Sequence, residues 1–228
     1  MKKAIANTSR LWYGEGAMKQ KVVVGGFASD QKQIEHVALD LSEYYDEDVI
    51  GMNFRKAMQT SRAFFDGREL ITHSAGFRAV WGALPERITA IAPPVPEAIH
   101  KLMWRGFVMG RKLSSHQEKP GQDADGNLLE ELLHHPRTHL GVLSSISHFD
   151  ALLEASWYQK HDVPTTVVFM KSDRLFRLGT QAVRDSITSA RRIDVDVVTA
   201  FGDHSRFTHD PIGLLADLAL SQSLAVAA

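Results

Sequence analysis

Short apolar runs typical of buried strands alternate along this chain with stretches in which apolar residues recur at helical spacing. The strand-like runs lie at 22–24, 48–52, 70–73, 88–92, 165–170 and 195–199. The clearest helical stretch follows a predicted N-cap at Asp30 and places on one face Ile34, Val37, Ala38, Leu41 and Tyr44. This alternation predicts βαβ units, and therefore a parallel sheet covered by helices.

The alternation is interrupted in one long segment. Residues 96–149 contain helical stretches and polar loops but no convincing strand. The alternation then resumes with a helix predicted at 151–159. We therefore expect an α/β core formed by residues 1–95 and 150–228, with residues 96–149 inserted into it as a helical segment.

Composition excludes several classes of function. The chain has 228 residues, of which 44% are apolar and 23% charged, as in ordinary globular proteins. Its 26 basic and 27 acidic side chains leave a formal net charge of −1, which argues against nucleic acid as a partner. The absence of cysteine excludes disulfides and thiolate chemistry and favours a cytoplasmic location. No apolar stretch reaches the roughly 18 residues that a membrane-spanning helix needs.

The segment from Leu70 to Gly76 reads LITHSAG and changes from a strand-like to a helix-like pattern at Ser74. A strand that turns sharply into a helix exposes the side chain at the turn beyond the edge of a parallel sheet. A small residue is needed two positions later, where helix and strand backbones approach closely, and Gly76 meets this need. The helix is predicted over 75–84. This arrangement predicts Ser74 as a nucleophile.

A serine hydroxyl is a weak nucleophile, so it requires a histidine as base and an acid that orients the histidine. Because the carboxyl ends of parallel strands meet at one edge of the sheet, both partners are expected just after later strands. Asp173 follows the strand-like run at 165–170, and His204 follows the run at 195–199. We therefore predict Asp173 as the acid and His204 as the base.

Other residues could fill the same two roles. Aspartates are common in turns and helix caps, so Asp203 and Asp150 are alternative acids. His209 is the alternative base, but it lies closer to the predicted final helix, where a solvated or capping histidine is common. His204 is therefore the preferred base.

The order Ser74, Asp173, His204, each one loop beyond a predicted strand, resembles the α/β-hydrolase superfamily, whose catalytic triad follows the order Ser, Asp or Glu, His. The resemblance covers the chain from about residue 22 onward. It implies a mostly parallel α/β-hydrolase sheet flanked by helices. It also implies that residues 96–149 form a helical cap or lid over the site.

The same resemblance bears on two details of the predicted site. It implies an oxyanion hole formed by the backbone N–H groups of Phe27, after the Gly25-Gly26 turn, and of Ala75. The common motif around the nucleophile is Gly-x-Ser-x-Gly, and this chain has Thr72 in place of the first glycine. Threonine is small enough for this position.

Neither a metal site nor an organic cofactor is predicted. Histidines cluster at His134, His135 and His139, but Pro136 interrupts the single helical face that ligands four residues apart require. The segment 123–134 begins like a calcium-binding loop, yet it lacks the glycine at position six and the glutamate at position twelve.

The predicted function is a serine hydrolase that cleaves a carboxylic ester or thioester of a small or lipophilic molecule through an acyl-enzyme. The resemblance also permits ligand binding without hydrolysis, or cleavage of another bond, as in perhydrolases, C–C hydrolases and amidases. The expected partner is a small-molecule substrate.

Overall fold

A computed structural model describes residues 20–26, 29–95, 151–173, 184–185, 188 and 195–226 of the chain. The predicted insertion at 96–149, and with it the predicted division into core and cap, lies outside these residues. Within them the elements are, in chain order, β1 (Lys21–Val24), α1 (Gln31–Tyr45), β2 (Val49–Met52), α2 (Phe54–Gln59), α3 (Arg62–Phe65), β3 (Glu69–His73), α4 (Gly76–Ala79), β4 (Arg87–Ile91), α5 (Ala151–Gln159), β5 (Thr165–Met170), β6 (Asp196–Ala200), α6 (Arg206–His209) and α7 (Pro211–Val226).

The strands form one six-stranded sheet in the order β2-β1-β3-β4-β5-β6, and every neighbouring pair is parallel. Val24 at the end of β1 lies beside Met52 and Thr72, and Met170 at the end of β5 lies beside Ala200. The predicted parallel sheet flanked by helices is therefore confirmed. Its strands end together at one edge, as parallel pairing requires.

Two apolar layers cover the sheet, because successive side chains of a strand point to opposite faces. Val22 and Val24 belong to the layer that contains residues of α2, α3, α4 and α5. Val23 belongs to the other layer, with residues of α1, α6 and α7. Both faces of β1 are buried, which explains why its sequence is continuously apolar rather than alternating.

Helix α1 begins where the sequence predicted. The Asp30 side chain accepts a hydrogen bond of 2.8 Å from the Gln33 N–H, as an N-cap does. Four of the five residues predicted for its inner face are buried. Tyr44 was wrongly placed there: it is 43% exposed, and the next residue, Tyr45, packs against the core instead.

Helix α4 is shorter than predicted. It occupies Gly76–Ala79 instead of 75–84, and the chain leaves helical geometry at Val80. Gly82 then adopts a left-handed conformation with φ of 87°. Val80 and Ala83 are fully buried by these turns, so their spacing resembled that of a continuing helix.

The side of the sheet on which successive strands are added changes between β1 and β3. After β1 it passes through α1 to β2 at the sheet edge, and after β2 it returns through α2 and α3 to β3. The helices that follow β1 and β3 lie on opposite faces of the sheet, so these two strands flank the point at which the strand order reverses. Binding sites of open α/β sheets lie at such a point.

Candidate active site

Ser74 occupies the turn between β3 and α4 and has a left-handed backbone conformation, with φ of 51°. Its N–H donates a hydrogen bond of 2.8 Å to the carbonyl of Ile91 in β4, which anchors the turn to the sheet. A residue with a Cβ is strained in this conformation, and such strain is concentrated at functional positions. The sharp turn predicted at Ser74 is therefore present.

Two glycines allow the chain after β1 to contact this turn. A Cβ on Gly76 would collide with the carbonyl oxygen of Val24 and lie 2.9 Å from that of Gly25. A Cβ on Gly26 would lie 2.9 Å from the Cβ of Ser74. A small residue is therefore needed at position 76 for the predicted reason, a close approach of helix and strand backbones. The strand that approaches Gly76 is β1.

Asp173 and His204 come together from the loops after β5 and β6. The Nδ1 of His204 lies 2.9 Å from Oδ2 of Asp173, and both side chains are buried. Because a carboxylate is only an acceptor, Nδ1–H of the histidine is the donor. For a neutral ring, Nε2 is then the nitrogen that can accept a proton.

Backbone hydrogen bonds join the two loops that carry this pair. The N–H of Lys171 donates to the carbonyl of Ala200 at 2.8 Å, and the N–H of Ser172 donates to the carbonyl of Gly202 at 2.9 Å. Gly202 has φ of 111°, and a Cβ there would collide with the side chain of Arg206. The pairing of β5 with β6 therefore continues into the loops and determines how Asp173 meets His204.

His73, the residue before Ser74, contacts the loop that carries His204. Its Nε2 lies 2.8 Å from the backbone carbonyl oxygen of His204, and the two imidazole rings have centroids 4.9 Å apart. Since a carbonyl accepts, Nε2–H of His73 is the donor. Burial, and then the neighbouring His204, lower the pKa of His73 from 6.5 to about 3.

Burial separates the preferred residues from their alternatives. Asp203 is exposed, and its carboxylate accepts hydrogen bonds from the N–H and the hydroxyl of Ser205. His209 is also exposed, at the end of α6. Asp150 lies outside the described residues. The structure thus brings Asp173 and His204 together and places the exposed alternatives in ordinary turn and helix positions.

Buried polar side chains are concentrated at this edge of the sheet. Among the described residues, six polar or charged side chains are buried, and four of them are His73, Ser74, Asp173 and His204. Polar groups are costly to bury unless they are paired. Sequence reasoning assigned no role to His73, and the only signal in the sequence was a histidine ending an otherwise apolar strand beside the predicted nucleophile.

The structure describes one of the two predicted oxyanion donors, Ala75. Ala75 is buried at the N-cap of α4, where a backbone N–H is not used by the helix itself. Phe27 lies outside the described residues, next to the Gly25-Gly26 turn that contacts Ser74. Its predicted role stays a prediction.

The described part of the chain contains neither a metal-binding cluster nor a membrane-spanning helix. There, no group of three or more His, Cys, Asp or Glu side chains is arranged to hold a metal ion. Over the same residues, no helix combines the length and the apolar character needed to cross a membrane.

Comparison with solved structures identifies the fold. The chain is similar to a candidate non-heme bromoperoxidase, BpoC, from Mycobacterium tuberculosis, with a TM-score of 0.57 and 11% identity over 93% of this chain and 94% of that one. It is also similar to the esterase Pf2001 of Pyrococcus furiosus, with a TM-score of 0.54 and 11% identity over 91% of this chain and 81% of that one. An extracellular α/β-hydrolase from a Paenibacillus species gives a TM-score of 0.50 at 11% identity, over 89% and 98% of the two chains.

The protein therefore has the fold of the α/β-hydrolase superfamily, as the order of its predicted site residues implied. No family model and no curated protein matches its sequence. At about 11% identity the structural likeness describes the fold, and the chemistry has to be argued from the site itself.

Proposed function

We propose that this protein is a serine hydrolase that cleaves a carboxylic ester or thioester of a small or lipophilic molecule. Ser74 is the nucleophile, His204 the general base and acid, and Asp173 the residue that orients His204. The observation that carries the proposal is the buried hydrogen bond of 2.9 Å between His204 Nδ1 and Asp173 Oδ2, at the same sheet edge as the strained turn of Ser74.

The reaction follows from the protonation state of His204. Nδ1–H is donated to Asp173, so Nε2 takes the proton of the Ser74 hydroxyl as the serine oxygen attacks the substrate carbonyl carbon. The tetrahedral intermediate collapses, and the imidazolium returns the proton to the departing alcohol or thiol. A water molecule then attacks the acyl-enzyme by the same route, which releases the acid and frees the serine.

Backbone N–H groups of Ala75 and Phe27 stabilise the negative oxygen of the intermediate in this proposal. The close approach of Gly26 to Ser74 supports it, because Gly26 directly precedes Phe27 in the chain. One preorganised donor of this kind is worth about 2.7–4 kcal/mol in the transition state.

Covalent labelling with a fluorophosphonate probe, followed by mass spectrometry of the adduct, tests the nucleophile. Wild-type protein is expected to be labelled stoichiometrically on Ser74, and Ser74→Ala is expected to remain unlabelled. Ser205→Ala is a matched control, because Ser205 directly follows His204 but donates its hydroxyl to Asp203. A folded wild-type protein that is not labelled, or is labelled on another serine, would contradict the proposal.

Paired variants test the base and the acid with p-nitrophenyl esters as substrates. His204→Gln is expected to abolish turnover, whereas His209→Gln is expected to leave it unchanged. Asp173→Asn is expected to lower kcat by about 10⁴-fold, because the histidine is then held in the wrong tautomer. Asp203→Asn should retain activity, and an Asp173→Asn variant that keeps the wild-type kcat would contradict the proposed role of Asp173.

A further inference from the structure

We propose that His73 is a positioning residue for the base: its Nε2–H, bonded to the backbone carbonyl of His204, determines where the imidazole of His204 stands relative to the hydroxyl of Ser74. The inference rests on the proposed function, because it concerns how the two reacting residues are held. In this role His73 acts through His204, whose backbone carbonyl it contacts, and takes no part in the proton transfer itself.

The bond links the two halves of the site directly. His73 is the last residue of β3 and is joined by a peptide bond to Ser74, whose own N–H is fixed to β4. The other end of the bond is the backbone of the base itself, 131 residues later in the chain. A movement of the His204 backbone away from Ser74 must therefore break or bend the hydrogen bond to His73.

Other contacts hold the His204 loop from the opposite side. The Arg206 guanidinium donates to the carbonyl of Phe201 at 2.7 Å and pairs with Asp217 of α7 at 2.8 Å. Asp173 holds the imidazole of His204 at Nδ1. These contacts fix the loop to α7 and to the end of β5. The contact with His73 fixes the same loop to the end of β3, the strand that precedes Ser74.

The choice of histidine at position 73 fits this role. Within the described part of the chain, Nδ1 of His73 is buried without a hydrogen-bond partner, which is unfavourable for a polar atom. Phe207, whose ring centroid lies 5.5 Å away, shows that the surroundings would suit an apolar ring. The hydrogen bond from Nε2–H is the interaction that histidine provides and an apolar side chain would not.

The charge of His73 also matters, because His204 becomes a cation during each half of the reaction. The titratable groups that act on His73 are His204, Asp173 and His209. Burial and the neighbouring His204 hold its pKa near 3, so the ring is neutral under ordinary conditions. A neutral His73 accordingly adds no positive charge beside the imidazolium that must form at His204.

Two substitutions separate the hydrogen bond from the space that the ring fills. His73→Gln keeps a donor near the position of Nε2, whereas His73→Phe keeps the ring and removes the donor. The same pair of substitutions at His161 is the control, because the Nδ1 of His161 also bonds a backbone carbonyl, that of Trp157 at 2.7 Å, but in the exposed turn after α5.

We expect His73→Phe to lower kcat for p-nitrophenyl acetate, and the rate of fluorophosphonate labelling, by about a hundred-fold with little change in KM, because a displacement of about 1 Å has this effect. His73→Gln should stay within about tenfold of wild type, and both His161 variants should match it. A folded His73→Phe that reacts at the wild-type rate, or a His73→Gln no better than His73→Phe, would overturn the proposal.

Failure of this inference is distinguishable from failure of the proposed function. If wild-type protein reacts and folded His73→Phe reacts equally well, the nucleophile stands and the positioning role is wrong. If wild-type protein is not labelled at all, the proposed function is wrong, and the positioning role falls with it.

A measurement on wild-type protein keeps the test decisive if the variants do not fold. Nitrogen-15 NMR of the histidine rings, assigned through the contact of His73 with Phe207, reports tautomer and charge. We expect His73 to be neutral and protonated at Nε2 between pH 5 and pH 7. Protonation at Nδ1 alone would overturn the proposed bond, because Nε2 would then have no hydrogen to donate.

Discussion

Acidification should destabilise this protein through His73, and the size of the effect follows from the burial of that residue. In the folded protein the pKa of His73 is lowered to about 3, first by burial and then by His204, whereas in the unfolded chain it has the ordinary value of 6.5. Between these two values the unfolded state binds a proton that the folded state does not. Stability therefore falls as the pH decreases through this window, and the contribution is fully present only above about 6.5.

The magnitude can be estimated from this difference. Between pH 7 and pH 5 the unfolded chain becomes almost fully protonated at His73 while the folded protein stays neutral there. The linkage relation then gives a loss of about 2 kcal/mol in the free energy of unfolding from this single residue. The residue is only 4% exposed, so little of this effect is screened by solvent.

Urea denaturation at the two pH values measures the effect. The free energy of unfolding of wild-type protein should fall by about 2 kcal/mol more between pH 7 and pH 5 than that of His73→Gln, which cannot take up the proton. His209→Gln, at an exposed position, should behave like wild type. An equal pH dependence of wild type and His73→Gln would refute the argument, because it would mean that His73 is protonated equally in both states.

Three further predictions concern the turn and the core. In urea denaturation, Ser74→Gly should have a free energy of unfolding about 1 kcal/mol higher than that of Ser74→Ala, because glycine relieves the left-handed strain. Equal stabilities of the two variants would contradict this. Gly76→Ala should destabilise the protein by about 1–3 kcal/mol, since the added Cβ collides with the carbonyl of Val24. Unchanged thermal unfolding would show that the backbone of β1 shifts to accommodate the added methyl group at little cost. Tyr158→Phe should cost about 1 kcal/mol in the same assay, because it leaves the buried carbonyl of Val80 without the hydroxyl donor now at 3.1 Å, and a neutral result would place water there.

Much of the fold could be predicted because its signals are local. The run TTVVFM predicted β5 with its observed bounds, and Asp30 predicted the start of α1, since strand periodicity and capping depend on residues close in sequence. The same local patterns were misleading for α4, where buried residues in successive turns have helical spacing. They also predicted that Tyr44 rather than Tyr45 packs against the core, because the pattern could not reveal which tyrosine the neighbouring layer would cover.

The predicted site residues lie after separate strands. They could be predicted to meet because parallel strands bring their carboxyl ends to one edge of the sheet. That rule predicted that Asp173 and His204 would be neighbours, and the structure brings them into contact. It did not decide between Asp173 and the exposed Asp203, because burial depends on the surrounding loops. The catalytic roles themselves await the labelling experiment.

The sequence by itself determined the alternation of strands and helices, the strained serine turn and the glycine behind it, because each of these depends on neighbouring residues. Only the tertiary structure decided that β1 is the strand against Gly76 and that His73 bonds the backbone of His204. Those contacts join segments up to 131 residues apart, and their geometry depends on how the whole sheet pairs and twists. A hydrogen bond between distant segments has no local pattern, so the role of His73 became visible only in the folded protein.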